Sequence, residues 1–70
     1  MSKNRKTDIR CTVIPSKKSY CINFYGFEQD GNSDPFYSII FYKQLFPSLV
    51  YAREWSEKNG YRLLKIEILF

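Results

Sequence analysis

Histidine is absent from this 70-residue sequence, which removes the side chain that most often acts as a general base or a metal ligand. The three glycines, Gly26, Gly31 and Gly60, are too scattered to form a phosphate-binding loop. A structural zinc site needs about four closely spaced ligands, and two cysteines do not supply them. We therefore expect a protein that is not an enzyme and that uses no metal, cofactor or small-molecule substrate.

Long apolar runs are also missing. Residues 37–42 and 63–70 are the longest apolar stretches, and they are short or interrupted by charge, whereas a membrane span needs about 20 apolar residues. The basic amino terminus is not followed by the apolar core of a signal peptide. These absences predict a soluble, cytoplasmic protein with no membrane partner.

Aromatic residues, in contrast, are abundant at 19% of the chain, and hydrophobic residues make up 44%. Each aromatic side chain buries a large area while fixing few rotatable bonds, so a chain this short can build a core without a metal or a disulfide. We predict one domain over residues 8–70, preceded by a flexible basic arm over residues 1–7.

Three segments rich in β-branched and aromatic residues predict three strands, at residues 9–14, 20–27 and about 36–45. A proline-containing turn at residues 15–18 and a loop at residues 29–35 separate them. Short connections favour an antiparallel meander.

The period then changes to that of an amphipathic helix over residues 49–60, with Leu49, Ala52, Trp55 and Ser56 on its inner face. Ser48 is expected to cap its first turn and Gly60 to end it. In the last strand, residues 61–70, the alternation places four apolar side chains on one face, namely Leu64, Ile66, Ile68 and Phe70. The predicted fold is α+β, a small antiparallel sheet with the helix on one face, in the order β-β-β-α-β.

Positive charge is concentrated near the amino terminus. The net charge is +4, and residues 1–18 hold six basic side chains against Asp8 alone. Such an arm can contact phosphates, or it can be a solvated tail that keeps a small domain soluble. The candidate nucleic-acid-binding residues are Lys3, Arg5, Lys6, Arg10, Lys17 and Lys18.

Cys11 and Cys21 are candidates for a disulfide. A hairpin centred on Ser16 would place them opposite each other on adjacent strands, at a separation that a disulfide can bridge. A loop one residue longer or shorter would place them on opposite faces instead. A reducing compartment would also keep both thiols free.

The second and third predicted strands carry apolar side chains on both faces, and one helix can cover only one face of their sheet. A protein partner, a second copy of the chain or stacked bases could cover the other face, as could the chain's own loops and arm. The candidate protein-interface residues are Tyr25, Phe27, Tyr37 and Phe41.

The run Phe46-x-Ser48-x-x-x-Ala52-x-x-Trp55 resembles the start of the helix in the small DNA-binding arms of tyrosine recombinases. The resemblance implies three antiparallel strands before the helix and a sheet that enters the major groove. This chain departs from that pattern, because its second and third strands carry Phe, Tyr and Ile in place of Arg and Lys and a fourth strand follows the helix. The strand-helix-strand ending is also similar to that of small phage proteins that bind host enzymes.

Two functions follow as hypotheses. The first is a non-catalytic protein-binding module, such as a phage- or mobile-element-type inhibitor or adaptor of a host protein, acting through an aromatic sheet face or an edge strand, with a homodimer as one form of partner. The second is a nucleic-acid-binding module that uses the arm for phosphates and sheet aromatics for bases. Because the net positive charge is confined to one end of the chain, we favour protein binding.

Overall fold

The computed structural model describes residues 7–28, 34–42 and 44–69. The elements in these residues are β1 Thr7–Pro15, β2 Ser19–Gly26, β3 Tyr37–Tyr42, α1 Leu45–Lys58 and β4 Tyr61–Ile68. The α+β class and the order β-β-β-α-β confirm the prediction. The residues of predicted features that lie outside the described residues are Lys3, Arg5 and Lys6 of the arm, residues 29–33 of the loop, and Phe70.

The strands form one sheet in the order β3-β2-β1-β4. β1 pairs with β2 and β2 with β3 in antiparallel fashion, as the predicted meander requires, but β4 lies parallel to β1. The sheet is therefore mixed. The reason is that α1 carries the chain back along the length of the sheet, so that β4 starts at the same end as β1.

The core lies between α1 and one face of the sheet. Strand residues at its centre, among them Ile9, Val13 and Phe24, are fully buried. On the helix, Ser48, Ala52 and Ser56 follow one another at intervals of four and are buried against the sheet. Side chains this small let the helix backbone approach the sheet closely, and each serine hydroxyl donates a hydrogen bond to the carbonyl four residues earlier.

The start of α1 differs from the prediction. The helix begins at Leu45 with Gln44 at its N-cap position, and no side chain caps it. Ser48, the predicted cap, lies inside the first turn and its Oγ donates to the Gln44 carbonyl oxygen at 2.9 Å. Pro47 does not prevent this earlier start, since the first helical turn tolerates a residue without an N–H. The third strand accordingly ends at Tyr42.

β4 contains a register shift that the sequence did not reveal. Ile9 pairs with Leu63, but the next residue, Arg10, pairs with Lys65. The skipped residue, Leu64, is 46% exposed, while Leu63 joins Ile66 on the helix side. The prediction that Leu64 shares the inner face with Ile66 is therefore wrong, because a bulge adds one residue and inverts the alternation before it.

The hairpin register also separates the two cysteines. Ile14 pairs with Cys21, whereas Cys11 pairs with Phe24. Cys11 is buried under α1, Cys21 lies on the opposite face, and both are free thiols. The candidate disulfide does not fit this register, because the turn is centred beyond Ser16 and the two side chains point away from each other.

Within the described residues, no helix combines the length and the apolar composition that crossing a membrane requires.

Candidate functional site

The four predicted interface residues do not form one surface. Tyr37 and Phe41 lie on the helix side of the sheet, where Tyr37 stacks on Trp55 with ring centroids 4.6 Å apart. Tyr25 lies on the opposite side. Phe27 follows the end of β2 and is 42% exposed. The expected aromatic patch on the uncovered side is therefore divided between the two sides.

The face away from α1, here called the outer face, carries a polar row beside an apolar row formed by Ile14, Cys21 and Ile40. One row across all four strands consists of Ser38, Asn23, Thr12 and Glu67. The Ser38 hydroxyl donates a hydrogen bond of 2.6 Å to Asn23 Oδ1. Ser38 at one end of the row is exposed, and Asn23 and Glu67 are half-buried, whereas Thr12 between them is buried.

Basic side chains on the outer face are paired with acidic ones. The Arg62 guanidinium donates to both Asp8 carboxylate oxygens, at 2.8 and 3.3 Å, and the hydrogen bond raises the pKa of Arg62. Arg10 Nη1 lies 3.8 Å from a Glu67 oxygen, and Lys65 Nζ lies 3.5 Å from the other. These carboxylates offset much of the positive potential that a phosphate would meet there.

The remaining predicted nucleic-acid contacts are dispersed. Arg10 has its guanidinium carbon 4.5 Å from the centre of the Tyr25 ring, a cation–π arrangement that occupies both side chains. Lys17 and Lys18 are exposed in the turn between β1 and β2. The described residues therefore do not assemble the predicted basic residues into one face.

An apolar groove of about 560 Å³ lies between β3 and the first turns of α1. We call it the α1–β3 groove. Phe46, which is 78% exposed, and Val50, which is 54% exposed, project from the helix side of the groove. Glu54 is the one charged residue in its lining, which consists of Phe41, Phe46, Pro47, Val50, Tyr51 and Glu54.

The groove exists because the first two turns of α1 lack a polar side. The sequence from Leu45 to Ala52 contains no charged residue. Since Ser48 and Ala52 face the sheet, the apolar side chains of Phe46 and Val50, four residues apart, face outward. An uncharged run longer than one turn was the available signal, but the predicted helix began at residue 49 and so left Phe46 outside it.

β3 borders the groove and forms one edge of the sheet. Its sequence, Tyr-Ser-Ile-Ile-Phe-Tyr, contains no charge, proline or glycine, and Ile40 is 66% exposed. β4, the opposite edge, carries Arg62, Lys65 and Glu67. Edge strands normally bear charges that discourage pairing with other chains. Of the two edges, β3 is the one without this protection.

The groove lining is apolar apart from the Glu54 carboxylate and the Tyr51 hydroxyl. Among the described residues, no three potential ligands are grouped to hold a metal ion. Burial raises the pKa of the Cys11 thiol to about 11, although the positive charge of Arg53 acts in the opposite direction. Because the thiolate is the nucleophilic form, Cys11 is unreactive at neutral pH.

No protein-family model, curated protein or solved structure matches this chain. Its function must therefore be inferred from the groove and from the edge of β3.

Proposed function

We propose that the protein is a small, non-catalytic protein-binding module whose partner occupies the α1–β3 groove and the adjoining edge of β3. The observation that carries this proposal is the 78% exposure of Phe46 beside an uncharged edge strand. Contiguous apolar surface of this kind marks interaction sites on small proteins.

The energetic case rests on the residues around Phe46. Removing a large apolar side chain from water contributes about 1.5–3 kcal/mol when burial is complete, and Phe46 and Val50 are both more than half exposed. Phe41 and Tyr51 form the aromatic wall beside them, with ring centroids 5.3 Å apart. An aromatic anchor at the centre of an apolar pocket is the usual composition of an interface hot spot.

The β3 edge adds backbone hydrogen bonds to this apolar contact. An extended segment laid beside β3 would pair its N–H and C=O groups with the free edge, and every second side chain would turn toward the groove. The backbone would then supply affinity and the groove would supply specificity.

Within this proposal, the partner is a protein: either a host protein, for which the module acts as an inhibitor or adaptor of the phage or mobile-element type, or a second copy of this chain. The cytoplasm is the proposed location. Two free cysteines on opposite faces suit a reducing compartment, where no disulfide is needed. The ion pairs on the outer face weigh against nucleic acid as the target.

Site-specific photocrosslinking tests the proposal. A photoreactive residue at position 46 is expected to crosslink a protein in nuclease-treated host lysate, and the same residue at position 64 is the control, because Leu64 is an exposed apolar residue on the opposite edge strand. Phe46→Ser should abolish capture of the same protein, whereas Leu64→Ser should not.

Another outcome is recovery of the partner from lysate only while nucleic acid is intact, and not by a Lys17→Ala, Lys18→Ala double variant. That result would overturn protein binding in favour of phosphate contact. Equal crosslinking from positions 46 and 64 would show that the groove is not the binding surface.

A further inference from the structure

We infer that the occupant of the β3 edge is a second copy of this chain, paired antiparallel through β3 about a twofold axis normal to the sheet. This inference rests on the proposed function, because it names the partner of the same surface. The two four-stranded sheets would join into one continuous sheet, with both helices on the same side.

The first argument concerns charge. In a strand pair related by a twofold axis, each residue lies opposite a residue of an identical strand. A charged edge residue would therefore lose its water or need an opposite charge at the facing position of the same sequence. β3 meets this condition because it carries no charge. On β4, pairing would disturb Arg62 and Glu67, which are already engaged with Asp8 and Arg10 in their own sheet.

The second argument concerns register. Residues that pair across two strands lie on the same side of the sheet. In a pair related by a twofold axis normal to the sheet, one residue of β3 must therefore lie opposite the same residue of the second copy. Centring the pair on Ile39 places Tyr37 opposite Phe41 of the second copy, on the helix side, and Ser38 opposite Ile40 on the outer side. Aromatic pairs directly across strands contribute roughly 0.2–1 kcal/mol each. Pairing centred on Ile39 therefore places one Tyr37–Phe41 pair at each end of the contact between the two β3 strands, here called the seam.

The third argument concerns area. A standard interface buries roughly 800 Å² on each partner, which is more than one exposed aromatic side chain of about 150 Å² supplies, so the strand edge and several groove residues must contribute together. The β3 edge lies beside the α1–β3 groove, so Phe46 and Val50 flank the seam together with the strand backbone. A second copy would therefore have to contact the β3 edge and the α1–β3 groove at the same time.

Sedimentation velocity tests the inference on the full chain. The wild-type protein should be a dimer at micromolar concentration, with a melting temperature that rises with concentration. Ile40→Lys, at a 66% exposed position outside the groove, should raise the dimer dissociation constant at least tenfold. The matched control is Leu64→Lys on the β4 edge, which should leave that constant unchanged.

If Ile40→Lys does not show the circular dichroism spectrum of the folded protein, Ser38→Lys on the same edge replaces it in the test. A wild-type monomer, or a dimer weakened by Leu64→Lys and not by the β3 variants, would overturn the inference. If that monomer still crosslinks a host protein through position 46, the proposed function stands alone. If it crosslinks nothing, both fall.

Disulfide trapping tests the register. In a Cys21→Ser background, Ile39→Cys should oxidise to a covalent dimer, because self-facing strand residues lie about 4.5–5.5 Å apart at Cα. Ser38→Cys is the control and should remain largely unlinked, since Ser38 faces Ile40. Efficient trapping at Ile40→Cys in place of Ile39→Cys would refute the centre at Ile39.

Discussion

The indole of Trp55 lies parallel to the phenol ring of Tyr37, with the ring centroids 4.6 Å apart and 5° between their planes. The same indole stacks on Phe24 at 4.4 Å and on Tyr61 at 5.6 Å. The single tryptophan therefore ties α1 to β2, β3 and β4 at once. The aromatic core is organised around it.

Replacing Trp55 should remove this organisation. We expect Trp55→Ala to lower the free energy of unfolding by about 3–5 kcal/mol, because it loses the stacked contacts and leaves a cavity. A domain of this size has a small free energy of unfolding, so much of the variant should be unfolded at room temperature. Urea titration followed by far-ultraviolet circular dichroism measures the loss. Trp55→Phe, which keeps one ring, should lose less than half as much, and an unchanged midpoint in Trp55→Ala would contradict the packing.

The bulge in β4 makes opposite predictions for two adjacent leucines. Leu63 packs against the core, whereas Leu64 is 46% exposed. Leu63→Ala should therefore cost about 2 kcal/mol and Leu64→Ala less than about 1 kcal/mol. Urea titrations of the two variants test the register of β4. If the strand alternated up to Ile66 without a bulge, Leu64 would be buried and Leu63 exposed, and Leu64→Ala would be the more destabilising change.

The two cysteines should differ in reactivity. Cys11 is fully buried and its pKa is raised to about 11, whereas Cys21 is partly exposed. At pH 8 a thiol reagent should modify Cys21 in the native protein and reach Cys11 only after unfolding. Mass spectrometry of the labelled peptides distinguishes the sites. Labelling of Cys11 at the same rate as Cys21 would contradict its burial.

Burial of Cys11 also predicts a loss of stability at alkaline pH. Its pKa is about 11 in the folded chain against an ordinary value of 9.0, so the folded state holds the proton more tightly. This contribution is complete below pH 9.0 and is lost as the pH rises to about 11, for a total of about 2–3 kcal/mol. Chemical denaturation between these pH values measures the slope. Cys11→Val should make this slope shallower.

Gly60 ends the helical segment with a φ of +79°, and, apart from Gly60 and its two chain neighbours, no residue has an atom within 4 Å of the position that a Cβ would take. Gly60→Ala should therefore cost about 1 kcal/mol through backbone conformation alone, without a steric clash. Gly60→Asn should cost less, because asparagine tolerates the left-handed region. Thermal unfolding of both variants checks the order, and equal melting temperatures for the alanine variant and the wild type would argue against the helix stop.

The sequence predicted the inner face of the helix correctly from Ala52 and Trp55, since helical periodicity depends only on residues within a few positions. It misplaced the helix start, because Ser48 fits two local roles, a cap or a buried small residue, and only contact with the sheet selects the second. Of the groove residues, Phe41 was a predicted interface residue, and Phe46 was missed for the same reason, whereas Val50 lay on the outer face of the predicted helix without being assigned to an interface.

By itself the sequence determined the α+β class, the order of the five elements and the uncharged character of β3, because alternation, helical period and local composition are properties of neighbouring residues. Only the tertiary structure decided that Cys11 and Cys21 lie on opposite faces, that Leu63 replaces Leu64 in the core, and that β3 ends up at an edge. The physical reason is that strand side chains repeat every two residues. A shift of one residue in a turn or a bulge therefore exchanges the two faces, and the identity of an edge depends on which distant strands pair.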